Sequence, residues 1–171
     1  GGDMNIRHEA AASRDRTPGP TRLGRGLYWQ DMQVGATFRT YTRTVTETDL
    51  VIFATLTGMT DSAFLDATMV GPMGGRPVPG ALTLSIIEGF LVQSLIRGTG
   101  IAMLSYSVEA VAPVHVGDTV HALVEFTDVR PTSKGDRAII DSSITIFNQH
   151  DEPVQRYTSR RMIAGRPEAG K

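Results

Sequence analysis

Three carboxylates in this sequence stand where a side chain could move a proton. Asp61 and Asp66 lie in the stretch 57–79, and Glu88 lies inside the apolar stretch 80–97. A carboxyl group serves as general acid or base once burial or a neighbour tunes its pKa. Each also has a plainer reading. Asp61 and Asp66 suit loop turns or helix caps. Glu88, in so apolar a segment, has to be paired or hydrogen-bonded, in an ion pair or a subunit contact. His8, His115, His121 and His150 fall in an N-terminal arm, two strand connections and a strand, and each reads as a surface residue. The absence of cysteine excludes a thiolate nucleophile, a disulfide framework and a Cys-ligated zinc site. No metal site is expected.

Hydrogen-bond donors come from a different place. Pro79-Gly80 opens the apolar stretch, and a helix beginning there points unpaired backbone N–H groups, those of Gly80 and Ala81, at one spot. The helix dipole adds positive potential, which suits polarisation of a carbonyl oxygen, and the missing side chain at Gly80 lets a ligand approach.

These groups need elements to hold them. Residues 37–45 alternate aromatic or β-branched with polar side chains and read as a first strand. Thr46 with Asp49 caps a short helix over 49–56, whose Leu50, Phe53, Ala54 and Leu56 face inward and which Gly58 ends. The stretch 57–79, rich in Gly, Pro, Asp, Thr and Met, is a long loop. Residues 80–97 carry Leu82, Leu84, Ile86, Ile87, Phe90, Leu91 and Leu95, so the helix is apolar around most of its circumference and is expected to be buried. Four strands follow at 102–111, 119–129, 137–147 and 154–163, three of them joined by short turns into an antiparallel meander. The fold class is α+β: an antiparallel sheet wrapped around one long central helix. The domain spans 27–164, between an extended N-terminal arm (1–26) and a polar tail (165–171). The arm, basic through Arg14, Arg16, Arg22 and Arg25, lacks apolar residues to offset its own ordering, so a neighbouring subunit or a packing contact is expected to hold it.

Composition narrows the partners. The 171 residues carry 17 Lys plus Arg against 18 Asp plus Glu, a net charge of -1, so no nucleic-acid or membrane-surface binding is expected. No apolar run approaches the roughly 18 residues of a membrane helix, and no secretory signal is apparent, so a cytoplasmic protein is expected.

The string TETDLVIFATLTG at 46–58, a loop, and GRPVPGALTLSIIEG at 75–89 resemble the MaoC-like dehydratase, or (R)-specific enoyl-CoA hydratase, family. Pro113-Val114, Val116-Gly117-Asp118, Asp136-Arg137 and Asn148-Gln149 continue the resemblance across 28–163. The resemblance implies a hot-dog fold, a homodimer or higher homo-oligomer, and a coenzyme A or acyl-carrier thioester as ligand, with no cofactor of the protein's own. The family's signature is Ser/Thr-Gly-Asp, then Asn-Pro, then a His five positions after that Asp. Here Thr57-Gly58 match, but Met59 stands for the Asp, Asp61-Ser62 for Asn-Pro, and Phe64 for the His. Neither Met nor Phe transfers a proton, and hydration of an enoyl thioester needs groups that do.

Three functions follow from this. The first is an acyl-thioester hydratase or dehydratase of altered active site, with Pro79, Gly80 and Ala81 at the thioester, Met59, Ser62 and Phe64 beside it, and Asp61, Asp66 or Glu88 handling protons. The second is a non-catalytic acyl-CoA-binding or assembly protein. The third is a thioesterase with Glu88 as base or nucleophile, which the position of Glu88, roughly 12 Å along the helix from Gly80, disfavours. Met59, Met69, Met73 and Phe64 either line an acyl pocket or fill core gaps.

Overall fold

The structure, a computed structural model, describes residues 20–168. The expected arm contact through residues 1–19 therefore lies outside the described residues. A 3-10 turn (Trp29–Asp31) precedes β1 (Thr37–Arg39), β2 (Arg43–Thr44), α1 (Glu47–Thr57), α2 (Ser62–Leu65), α3 (Gly80–Gln93), β3 (Gly100–Ala110), β4 (Thr119–Pro131), β5 (Arg137–Phe147) and β6 (Pro153–Ala164). The strands pair antiparallel in the order β1-β4-β5-β6-β3, with β2 also on β4. This is the hot-dog arrangement: the sheet curves around α3.

The sheet holds α3 because both present apolar side chains at their own period. Leu82, Ile86, Ile87, Phe90 and Leu91 of α3 meet Val120, Ala122 and Val124 of β4, Ile144 and Ile146 of β5, and Val154 and Tyr157 of β6. Alternation along β5, buried at every second residue, fits a strand with one covered face. A second cluster around Phe126, Ile140 and Ile163 closes the end where α3 stops. Among the described residues, no helix is long and apolar enough to cross a membrane.

Several expectations need correction. The strand over 37–45 is broken into β1 and β2, because Thr40 Oγ1 accepts the Ala122 N–H (2.8 Å) while Thr40 N–H donates to the Ala122 carbonyl (2.9 Å). From Arg39 to Arg43 the chain uses one residue more than β4 does opposite, which makes a bulge. Helix α1 begins two residues before Asp49. The reciprocal bonds of Thr46 and Asp49 cap it, and left-handed Gly58 (φ 78°) ends it. Leu56 points to solvent, 80% exposed, so the inward stripe is Leu50 and Ala54, with Phe53 half-buried. The central helix stops at Gln93, short of Arg97, where Ser94 leaves helical dihedrals and its hydroxyl caps the Phe90 carbonyl at 2.5 Å. Nor is α3 buried all round, since Ala81, Ser85, Gly89 and Val92 form an exposed stripe. His121 is not at the surface. It is 5% exposed and stacks on Phe147, and burial, then the charge of Arg39, lowers its pKa. Residues Gly165 and Arg166 of the expected tail are pinned. Gly165 N–H donates to the Asp136 carbonyl (2.7 Å), and Arg166 binds Gln30 and Asp31 beside Trp29.

The outer face of the sheet carries a charge network. Asp141 of β5 accepts from Arg160 of β6 (2.8 and 2.9 Å) and from Arg130 of β4 (3.3 Å). The Arg160 guanidinium, helped by Arg130, holds the Asp141 carboxyl below the usual carboxylate range. A lowered folded-state pKa contributes stability that is present above the ordinary value near 4 and is lost as pH falls through the folded value. Asp141→Asn is expected to lower stability at neutral pH by up to about 1 kcal/mol and to flatten the acid limb of a stability profile below about pH 4. Denaturant melts at stepped pH check this.

Candidate active site

The site is built on the first turn of α3. The first intrahelical bond at this end runs from Leu82 N–H to the Pro79 carbonyl (2.9 Å), which leaves the N–H groups of Gly80 and Ala81 ahead of it. Pro79 is extended and caps without a side chain. A cavity of about 300 Å³ opens here, bounded by Gly80 and Thr83 of α3, Ala110 at the end of β3, Val154 and Gln155 of β6, and Met73 of the long loop. Gln155 Nε2 donates to the Gly80 carbonyl (3.2 Å) and so fixes the helix start to the sheet. Gln155 Oε1 and Thr83 Oγ1 are buried without a hydrogen-bond partner. Such groups are costly to bury unpaired.

The loop is anchored beside the cavity by residues without an expected role. Val78 N–H donates to the Val114 carbonyl (2.8 Å), Val116 N–H donates to the Arg76 carbonyl, and Pro77 bridges His115. His115 Nε2 lies 2.7 Å from the Gly74 carbonyl and 3.0 Å from that of Met73, while Asp118 lies 3.8 Å from Nδ1. With two carbonyl oxygens at Nε2, the imidazole donates from that nitrogen and tethers the loop. Left-handed Gly75 (φ 54°) passes so close that a Cβ there would sit 3.2 Å from the imidazole. Arg76 spans the other side, binding Glu47 of α1 (2.5 Å) and the Phe64 carbonyl of α2 (3.1 Å).

The proposed site residues separate into three places. Pro79, Gly80 and Ala81 form the helix start. Asp61, Ser62 and Phe64 belong to α2, a helix of one turn inside the expected loop, where Asp61 Oδ1 caps Ala63 N–H (2.9 Å) and Phe64 packs on the core. A smaller cavity of about 70 Å³ touches Ala63 and shares Met73 and Pro77 with the larger one, so α2 flanks the site. Met59 is 40% exposed beyond α1. Asp66 is solvent-facing, and its Oδ1 accepts from Thr68 N–H (2.9 Å) and Thr68 hydroxyl (2.6 Å), bonds that lower its pKa.

Glu88 lies elsewhere. It faces β6 and β3, forming an ion pair with Arg161 and accepting from Tyr157 hydroxyl (2.7 Å) and Tyr106 hydroxyl (3.2 Å). Burial, and then the neighbouring Glu88 charge, push both tyrosine pKa values up, so both stay protonated donors. Gln155, Thr83, His115 and Arg76 were not singled out from sequence. On the inward face of β6, Gln155 alternates with Tyr157, Ser159, Arg161 and Ile163, so its amide did not stand out in the sequence. Among the described residues, no group of His, Asp and Glu is arranged to hold a metal ion.

This fold, with its helix-start cavity, defines a hot-dog domain of the kind that surrounds one helix with one sheet. A Mycobacterium tuberculosis protein described as a double hotdog fold shares it, with a TM-score of 0.72 over 88% of this chain and 48% of its own, at 19% identity. The MaoC-like domain family model matches residues 31–145, and the chain belongs to that family. A 3-hydroxybutyryl-CoA dehydratase of Methylorubrum extorquens is 28% identical over 134 residues, 71% of this chain and 84% of that protein. The MaoC-like dehydratase of Rhodospirillum rubrum superposes with a TM-score of 0.74 at 26% identity, covering 84% of this chain and all of that one. The (R)-hydratase of A. caviae involved in PHA biosynthesis has a TM-score of 0.65 at 26% identity, covering 80% of this chain and 99% of its own.

A Cβ on Gly80 would lie 3.2 Å from Gln155 Nε2 and point toward the cavity side of the helix start. Gly80→Val is therefore expected to weaken binding of a saturated acyl-CoA by roughly tenfold or more with the fold retained. Calorimetry alongside circular dichroism measures both, and unchanged affinity in a folded variant would move the site away from α3.

Proposed function

We propose that this chain is an acyl-thioester hydratase or dehydratase of altered active site, adding or removing water at the 2,3-position of an enoyl or 3-hydroxyacyl thioester. The observation that carries the reading is the cavity of about 300 Å³ at the free N–H groups of Gly80 and Ala81, in a chain of the MaoC-like family. Those N–H groups, with the helix dipole behind them, polarise the thioester carbonyl and acidify the α-carbon. The carrier is coenzyme A or an acyl-carrier phosphopantetheine, and no cofactor of the protein's own takes part.

A proton-transfer group is still required, because Met59 and Phe64 occupy the family's positions for it. Asp61 is the best placed carboxylate: it heads α2 beside the cavity, and the bond from Ala63 N–H takes only its Oδ1. Asp66 is the weaker base, since Thr68 stabilises its charged form. Glu88 has both oxygens taken by Arg161, Tyr157 and Tyr106, which also argues against a thioesterase nucleophile.

One observation favours a second reading. Among the described residues, no titratable side chain lines the helix-start cavity, which suits a domain that holds an acyl thioester without converting it. Hydration of a panel of enoyl-CoA esters, measured with binding by calorimetry, separates the two. The first reading expects turnover that falls about a hundredfold in Asp61→Asn while affinity stays within about twofold. Binding without turnover supports the second, and no binding to any ester overturns both.

We further infer a homodimer in the cytoplasm. Among the described residues, strand β3 pairs with β6 on one side, and its other edge carries Ile101, Leu104, Tyr106 and Val108, about half exposed, next to the small-residue stripe of α3. An open apolar edge invites pairing with another strand, and a second copy offers the same edge. Light scattering is expected to return twice the 18.5 kDa chain mass, and Val108→Lys is expected to shift the population toward the monomer.

A further inference from the structure

A cavity of about 330 Å³ lies at the far end of α3 and shares no residue with the site above. It sits on Leu91, roughly 16 Å along the helix from Gly80, and on Ser94 and Leu95 beyond it. Its sheet wall is β1, the bulge after it and Val124 of β4, at the opposite edge of the sheet from β3. Two features build it. The first is the bulge. In a regular strand neighbouring side chains point to opposite faces, yet the consecutive residues Phe38, Arg39, Thr40 and Tyr41 all border this space. Bulges re-aim side chains in this way. The Tyr41 ring then rests edge-on against Phe90 of α3, with centroids 5.9 Å apart. The second is a strap of chain ahead of the 3-10 turn. Gly26 N–H donates to the Arg97 carbonyl and Leu27 N–H to the Leu95 carbonyl, both at 2.8 Å. A Cβ on Gly26 would lie 2.6 Å from the Leu95 carbonyl oxygen, so the strap reaches the end of α3 only with glycine there.

The charge of the lining is of one sign. Arg25 and Arg39 border the cavity, and no carboxylate does. Arg25 reaches the Tyr28 hydroxyl and ring. The Arg39 guanidinium has no hydrogen-bond or ion-pair partner among the described residues. Its charge is felt at His121, where burial and then Arg39 lower the pKa. Beneath the two arginines, Leu27, Phe38, Leu91, Leu95 and Val124 form an apolar floor. A mostly apolar hollow of this size with a few placed polar groups is the usual form of a small-molecule site.

We propose that this second cavity binds a small organic carboxylate with an apolar body. The carboxylate accepts charge-assisted hydrogen bonds from Arg39 and Arg25, and the body lies on Leu91, Leu95 and Phe38. An inorganic anion satisfies only the arginines, and a neutral apolar molecule only the floor. The inference stands apart from the thioester reading, because the two cavities have no residue in common.

Calorimetry on the full chain with 3-phenylpropionate, its neutral amide 3-phenylpropanamide and inorganic phosphate tests this. The carboxylate is expected to bind at least about fivefold more tightly than either of the others, and to weaken as sodium chloride is raised. Arg39→Met keeps an apolar stem at an exposed position of β1, and is expected to weaken 3-phenylpropionate binding at least about fivefold. Gly80→Val, which crowds the other cavity, is expected to leave that binding within about twofold. The inference is overturned if the carboxylate does not bind, if the amide or phosphate binds as tightly, or if folded Arg39→Met binds the carboxylate unchanged. Loss of 3-phenylpropionate binding in Gly80→Val overturns it too, by moving the anion to the helix start. If Arg39→Met does not fold by circular dichroism, the comparison of the three ligands in the unmodified protein still decides.

Discussion

Burial of α3 against the concave face of the sheet is the constraint on which the other features depend. A helix carrying Leu82, Ile86, Ile87, Phe90 and Leu91 on one broad face loses several kcal/mol if that face meets water, at about 25 cal/mol per Å² of apolar surface. Among the described residues, four long antiparallel strands supply the surface wide enough to cover it. Everything at the site follows from how that packing ends. Where α3 begins, the sheet has just started β6 and finished β3, so the covering layer is thin and a cavity remains. The loop that leads into α3 must then be held by other means, and His115, Arg76 and the short pairing of residues 76–78 with 114–116 hold it.

Polar groups in the interior divide by whether they are satisfied. The Glu88 cluster is closed: each carboxylate oxygen has a donor, and the three donors come from two strands, β6 and β3. The cavity pair Gln155 and Thr83 is open, with an acceptor and a hydroxyl left over. A closed network fixes helix to sheet and resists intrusion, whereas unmatched groups beside a void are ready for a ligand that brings a donor. The two sets lie next to each other along the same helix, which is why the interior changes from receptive to rigid within about two turns.

The strand and helix order was legible from period alone, because β5 alternates cleanly and α3 is apolar on several sides. What was not legible depended on contacts between distant residues. The break between β1 and β2 arises from a threonine hydroxyl that takes the place of its own strand's backbone carbonyl in accepting the Ala122 N–H of β4, a substitution that Thr40 does not announce among its threonine neighbours. His121 reads as a strand histidine of either face until Phe147 is placed against it. At the site, Pro79-Gly80 is readable because a helix start needs only local sequence. Gln155 and His115 are not, since their partners lie 75 and 41 residues away. The paired reading of Glu88 needed only its apolar surroundings, but the identity of Arg161 and the two tyrosines needed the sheet register.

Ala110 at the end of β3 and Val111 just after it also line the helix-start cavity. A chain adding to that edge would therefore touch residues that also line the cavity. Two equilibria that share residues in this way are thermodynamically linked, and the coupling free energy is the same in both directions. Self-association through that edge, as proposed above, would then act on this protein as an effector. The apparent affinity for the proposed ligand would become a function of protein concentration, and the tightness of the assembly a function of how much ligand is present.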